Sequence, residues 1–198
     1  MVQSVWLVTT AHLENRLWFL DNEDYRVGMN LVAITSSQLP VRVLSFCLMS
    51  NHVHFVLKGR REDAEGFISK LKQTYSRYYQ RKYGVKELLR RNKTDIRLIP
   101  VQQEAREKAM AYVHMNCVAA NICASSSDYP WGSGACPFQL KPLKGIPLGE
   151  MSDRARFRLL HSKVDLPGEW IVGEDGFILP SRMSRSRRWR ASSGHPRE

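Results

Sequence analysis

Apolar positions along the first two-thirds of the chain switch between two periods. Ser4–Thr10 (SVWLVTT) is short, β-branched and aromatic, which predicts a strand. Asp21-Asn22 offers a helix cap, and Tyr25, Met29, Val32 and Ala33 follow at helical spacing until about Gln38, with Pro40 beyond it. Residues 41–48 (VRVLSFCL) and 52–58 (HVHFVLK) read as two further strands joined by the tight connection Met49-Ser50-Asn51. Over residues 62–83, Phe67, Leu71, Tyr75, Tyr78 and Tyr79 mark one helical face, and Gly84 supplies a stop. A fourth strand falls at about 94–101. A helix follows over 103–119, with Ala105, Ala109, Val113 and Cys117 as its apolar stripe. The order β-α-β-β-α-β predicts an α+β, ferredoxin-like antiparallel sheet with helices on one face, plus one additional helix.

The pattern changes after Ser125. A Ser-, Gly- and Pro-rich stretch leads to a short helix near 154–160 and a small hairpin over 170–179, turning at Glu174-Asp175-Gly176. Residues 181–198 are Arg/Ser-rich and almost without apolar side chains, which predicts a disordered basic tail. The expected division is a main domain over 1–124, an arm and hairpin packed on it over 125–180, and the tail.

Charge narrows the range of partners. A formal net charge of +11 suits a polyanion, nucleic acid being the commonest, although a merely basic soluble protein has the same composition. Cys47, Cys117, Cys123 and Cys136 show no metal-knuckle spacing, so reduced cysteines are expected and a disulfide framework is not. The N-terminus lacks a signal-peptide pattern, and no stretch is apolar enough to span a bilayer. A cytoplasmic protein without a membrane partner is therefore expected.

Two constellations carry chemistry. Side chains two apart on a strand share a face, so His52 and His54 project together while Val53, Phe55 and Leu57 take the other side. Paired imidazoles suit a divalent cation, and phosphate transfer has a use for one; alone, such a pair is more often a polar sheet face. On the 103–119 helix, Lys108, Tyr112 and Asn116 stack at four-residue intervals beside the apolar stripe. A cation, a phenol and a neutral oxygen ligand in one row match a phosphate contact, a nucleophile and a metal ligand. An amphipathic helix with a packed Tyr and a surface Asn is the plainer alternative.

The run FCLMSNHVHFVLKG resembles the signature strand of the HUH single-strand DNA transposases. AYVHMNCVAANICASSSDYPWGSG resembles the second signature of their REP-associated tyrosine transposase-like group. The resemblance implies an endonuclease that cleaves and rejoins single-stranded or hairpin DNA through a 5′-phosphotyrosine, using Mg²⁺ or Mn²⁺. Carried over by position, it makes Tyr112 the nucleophile and His52, His54 and Asn116 the metal ligands, and it favours a monomer over a homodimer. Cys117, where the group has proline, and the Arg/Ser tail depart from the pattern.

Other residues are weighed against this site. Lys70, Lys72, Arg77, Arg81 and Lys82, with Tyr79 as a stacking surface, are the expected DNA contacts of the 62–83 helix. Tyr75, Tyr78, Tyr79 and Tyr83 are rival nucleophiles, but none has a polar ligand four residues on. His12 and His114 read as surface residues, and Trp131 as an anchor for its loop. A non-catalytic hairpin DNA- or RNA-binding protein is the main alternative. A two-metal RNA-processing enzyme lacks the acidic cluster it would need.

Overall fold

The computed structural model describes residues 3–14, 16–134 and 145–179. The chain divides into two compact units, residues 1–140 and 141–198.

In the first unit, β1 (Ser4–Thr10), α1 (Asn22–Ser37), β2 (Arg42–Met49), β3 (His52–Gly59), α2 (Arg61–Tyr83), β4 (Thr94–Ile99) and α3 (Gln103–Ala119) follow the predicted order. The sheet runs β2-β3-β1-β4, every pairing antiparallel. Local chemistry sets the boundaries. The Asp21 carboxylate accepts the Asp24 N–H at 2.9 Å and caps α1. Gly84 closes α2 in the left-handed region at φ 71°, its N–H donating to the Gln80 carbonyl at 2.9 Å.

Strand alternation builds two cores. On one face Val8, Leu48, Val53, Phe55 and Leu57 are buried beneath α1 and α2; the Phe55 ring meets Phe67 of α2 edge-on at 5.2 Å, and Trp18 and Tyr75 stack at 6.0 Å. On the opposite face Val5, Cys47, Met49 and Val56 pack with Val113 and Cys117 of α3. Two helices cover one face as expected, and the structure places the additional helix, α3, on the other. Cys47, Cys117 and Cys123 are free thiols. Burial pushes Cys47 up to about 12 and Cys117 to about 11, so both stay protonated and inert, as read from the sequence. Cys136 lies outside the described residues.

The segment after α3 returns to the edge of the sheet. A 3₁₀ turn (Ser126–Asp128) leads to a strap along β2: Leu48 N–H donates to the Trp131 carbonyl at 2.8 Å, and Ser133 N–H to the Phe46 carbonyl at 2.9 Å. The Tyr129 hydroxyl donates to the Leu48 carbonyl at 2.7 Å. Gly132 sits where an added Cβ would lie 2.8 Å from the Phe46 carbonyl oxygen, so only glycine allows this approach. Trp131 stacks on Tyr25 of α1 at 4.7 Å, the anchoring role read from the sequence. Residues 126–134 thus belong to the first unit, and the boundary expected at 124/125 falls inside it.

The second unit holds β5 (Gly145–Pro147), a 3₁₀ turn (Leu148–Glu150), α4 (Asp153–Leu160), β6 (Ile171–Gly173) and β7 (Ile178–Leu179). The short helix and the hairpin at Glu174-Asp175-Gly176 appear as expected, and β5 joins them as a third antiparallel strand that was not foreseen. The tail expected over 181–198 lies outside the described residues.

Candidate active site

His52 and His54 point to the α3 face of the sheet, since their alternates Val53 and Phe55 pack beneath α1 and α2. Both are buried, 7% and 2% exposed. Their rings meet edge-on with centroids 4.7 Å apart. The neighbours supply fixed partners. His52 Nδ1 lies 2.8 Å from Asn51 Oδ1, and His54 Nδ1 lies 3.2 Å from the Thr9 hydroxyl, Thr9 being its register partner on β1. His54 Nε2 is buried with no hydrogen-bond partner.

This environment keeps both rings neutral. Burial, then the neighbouring His54 and His12, lowers His52 to about 3; burial and His12 lower His54 to about 4. Neutral imidazole is the ligating form. The shifts have a consequence for stability. A histidine whose pKa falls on folding contributes stability that is present above its unfolded value of 6.5 and lost as pH falls through its folded value. Acidification from pH 6.5 towards 4 is therefore expected to lower the urea midpoint of the metal-free protein. The paired change His52→Gln and His54→Gln should flatten that slope; an unchanged slope in the double variant would assign it to other groups.

Across this pair stands α3. The Tyr112 ring is perpendicular to the His54 ring, centroids 5.6 Å apart, and remains 51% exposed. The predicted histidines and tyrosine are thus neighbours. Asn116 lies one turn further, its amide nitrogen donating back to the Tyr112 carbonyl at 2.8 Å, which leaves the oxygen as its other end. No hydrogen bond among the described residues joins Asn116 to either histidine. Nor is any group of three or more His, Cys, Asp and Glu side chains among them placed to hold a metal ion. Two imidazoles and an amide oxygen are donors of the chemistry a divalent cation takes, and the buried His54 Nε2 has no other partner.

The other expected contacts divide. Lys108 is exposed on the Tyr112 row and pairs with Glu104 at 2.6 Å. Lys70, Arg77 and Arg81 sit on α2, across the sheet from the histidines, with Arg77 and Arg81 exposed. Lys72 is held by the Asn92 carbonyl and, at 2.7 Å, the Thr94 hydroxyl, and burial lowers it to about 8. Lys82 is held by Asp21, Glu23 and Asp24. Tyr79 is 5% exposed, between Tyr75 and Tyr83, so its ring offers no face for a base, contrary to expectation. Lys72 and Lys82 are taken up by partners from distant parts of the chain, and Tyr79 is covered by rings of its own helix.

Among the rival nucleophiles, Tyr75 donates to the Trp18 carbonyl and Tyr78 and Tyr83 to Asp24, all on the far side of the sheet. Sequence reasoning missed four contacts near the site. Thr9 and Asn51 touch the histidines. His12, exposed as expected, also stacks on His52 at 3.9 Å, the approach to the site that its place at the end of β1 allowed but that the surface reading set aside. His114, read as surface, is half-buried, and its Nε2 lies 3.1 Å from the Ser133 hydroxyl of the strap.

A family described as "Transposase IS200 like" matches residues 5–116, which contain every one of these site residues except the strap. The chain belongs to that family. Among solved structures, this transposase-family chain is similar to a REP-associated tyrosine transposase bound to a REP hairpin. The likeness has a TM-score of 0.55 and 15% identity over 70% of this chain and 82% of that one. At that identity the likeness speaks for the fold alone. No curated protein matches the chain.

Proposed function

We propose that this IS200-like transposase is a metal-dependent endonuclease that nicks and rejoins single-stranded hairpin DNA through a 5′-phosphotyrosine at Tyr112. The observation that carries the reading is the exposed Tyr112 ring set against buried, neutral His54, while the other tyrosines of the helical layer are turned away. The hairpin bound by the structural neighbour supports a hairpin substrate.

His52, His54 and Asn116 would hold Mg²⁺ or Mn²⁺. When bound, such an ion withdraws charge from the scissile phosphate and orients it. The Tyr112 oxygen attacks phosphorus and forms the new P–O bond, its phenolic proton passing to solvent. The bond from phosphorus to O3′ breaks, its electron pair leaves with that oxygen, and protonation gives a free 3′-hydroxyl. Attack by a 3′-hydroxyl on the phosphotyrosine reverses the step and rejoins the strand. Lys108 reaches phosphate by exchanging its exposed Glu104 partner. Lys70, Arg77 and Arg81 add salt-dependent attraction from the far layer.

The test is to incubate the protein with Mn²⁺ and a labelled single-stranded hairpin, denature, and map the adduct. We expect a covalent species at Tyr112 that EDTA prevents. Tight hairpin binding with no adduct in Mg²⁺ or Mn²⁺ would instead make the chain a non-catalytic hairpin-binding protein.

A further inference from the structure

We infer that Asn51 and Thr9 are positioning residues that set the tautomer of the histidine pair, protonating Nδ1 of each ring and turning both Nε2 lone pairs to the α3 face. The inference rests on the reading of His52 and His54 as ligands, and it adds the residues that orient them.

The chemistry of the partners decides the tautomers. Asn51 Oδ1 can only accept, so the 2.8 Å contact requires the proton of neutral His52 to sit on Nδ1. The Thr9 hydroxyl can donate or accept at 3.2 Å. His54 Nε2 removes that freedom. It is buried without a partner, and an N–H there would be an unsatisfied buried donor, which folded proteins avoid. The His54 proton therefore also sits on Nδ1, and Thr9 accepts it.

The geometry is built in by the backbone. Asn51 belongs to the hairpin turn between β2 and β3, a place where chains usually move. Here the Asn51 carbonyl accepts the Leu13 N–H at 3.0 Å, and the adjacent Ser50 carbonyl accepts Trp18 N–H at 2.7 Å. The chain that follows β1 is fixed in turn. Ala11 N–H donates to the Lys93 carbonyl at 2.9 Å, and Asn92 Nδ2 donates to the Ala11 carbonyl at 2.7 Å. These bonds also hold His12 where its ring stacks on His52. A turn immobilised from outside keeps an Asn side chain on one ring nitrogen, as the outer hydrogen bonds of metal-ligating histidines do.

Long-range ¹H–¹⁵N spectra of the metal-free protein at pH 8 read the tautomers directly, and Mn²⁺ titration reads affinity. In the parent protein both histidines should be protonated on Nδ1. Asn51→Ala should move His52 towards the Nε2–H form and weaken Mn²⁺ binding by about 10-fold or more. Asn51→Asp, which keeps an acceptor oxygen, should preserve both. Thr9→Val, which leaves both ring nitrogens of His54 without a partner, should mix its two tautomers and weaken Mn²⁺ binding. An Nε2–H form of His52 in the parent, or an Asn51→Ala protein with unchanged tautomer and affinity, would overturn the inference. A parent protein with the expected tautomers that fails to bind Mn²⁺ would refute the ligand reading and leave the tautomer assignment standing.

Discussion

Replacing Tyr112 with Phe is expected to leave hairpin binding unchanged and to reduce strand cleavage by at least about a thousandfold, because it removes the attacking oxygen and little else. The substitution is structurally mild. Tyr112 is half exposed, and its ring contact with His54 survives the loss of the hydroxyl. The rivals are poorly placed to substitute: Tyr75, Tyr78 and Tyr83 donate their hydroxyls to Trp18 and Asp24 across the sheet. Binding measured by anisotropy and cleavage measured on denaturing gels separate the outcomes. Cleavage at the parent rate in Tyr112→Phe would remove Tyr112 from the mechanism. A parallel loss of binding and cleavage would point to a role in holding DNA.

The largest expected loss of stability lies far from that site. Asp24 is completely buried, and its carboxylate gathers the Leu20 N–H at 2.8 Å, the Tyr78 hydroxyl at 2.8 Å, the Tyr83 hydroxyl at 3.0 Å and Lys82 Nζ at 3.0 Å. Burial works against the charge on Lys82, yet its bonds to Asp21, Glu23 and Asp24 hold it above the usual lysine range. In Asp24→Ala, Lys82 keeps Asp21 and Glu23, but the Leu20 N–H and Tyr78 hydroxyl lose their buried acceptor. Removing one member of such a network costs about 3–5 kcal/mol. Urea unfolding of Asp24→Ala should show a loss of that order, and Asp24→Asn a smaller one, since it keeps one acceptor oxygen. A loss below about 1 kcal/mol would mean that water reaches the site and replaces the carboxylate.

The fold was legible because its patterns are local. Period-two alternation in HVHFVLK assigned His52 and His54 to one face and Phe55 to the other, and the i, i+4 row placed Tyr112 and Asn116 beside the buried stripe of α3. What stayed hidden depended on register. Thr9 becomes a partner of His54 only through the β1–β3 pairing, and no periodicity within either strand sets that offset. His12 reaches His52 for the same reason. The α2 residues show the converse error. Helical spacing identified Tyr79, Lys72 and Lys82 correctly as lying on a long helix. It could not reveal that Asn92 or Asp21, remote in sequence, would take up the two charges, or that neighbouring rings would cover Tyr79. Basic side chains were counted as available because their partners were not in view.

The strap along β2 bears on how far Tyr112 can travel. α3 is fastened at its start through the short connection from β4. Beyond its end it is fastened by the bonds of Tyr129, Trp131 and Ser133 to β2, with His114 tied to the same serine from within the helix. Handing this helix to another copy of the chain, or swinging it away from His54, would mean peeling that whole seam from the sheet edge. The helix is a bar clamped at both ends, and under the proposed mechanism the DNA strand would have to travel to the tyrosine.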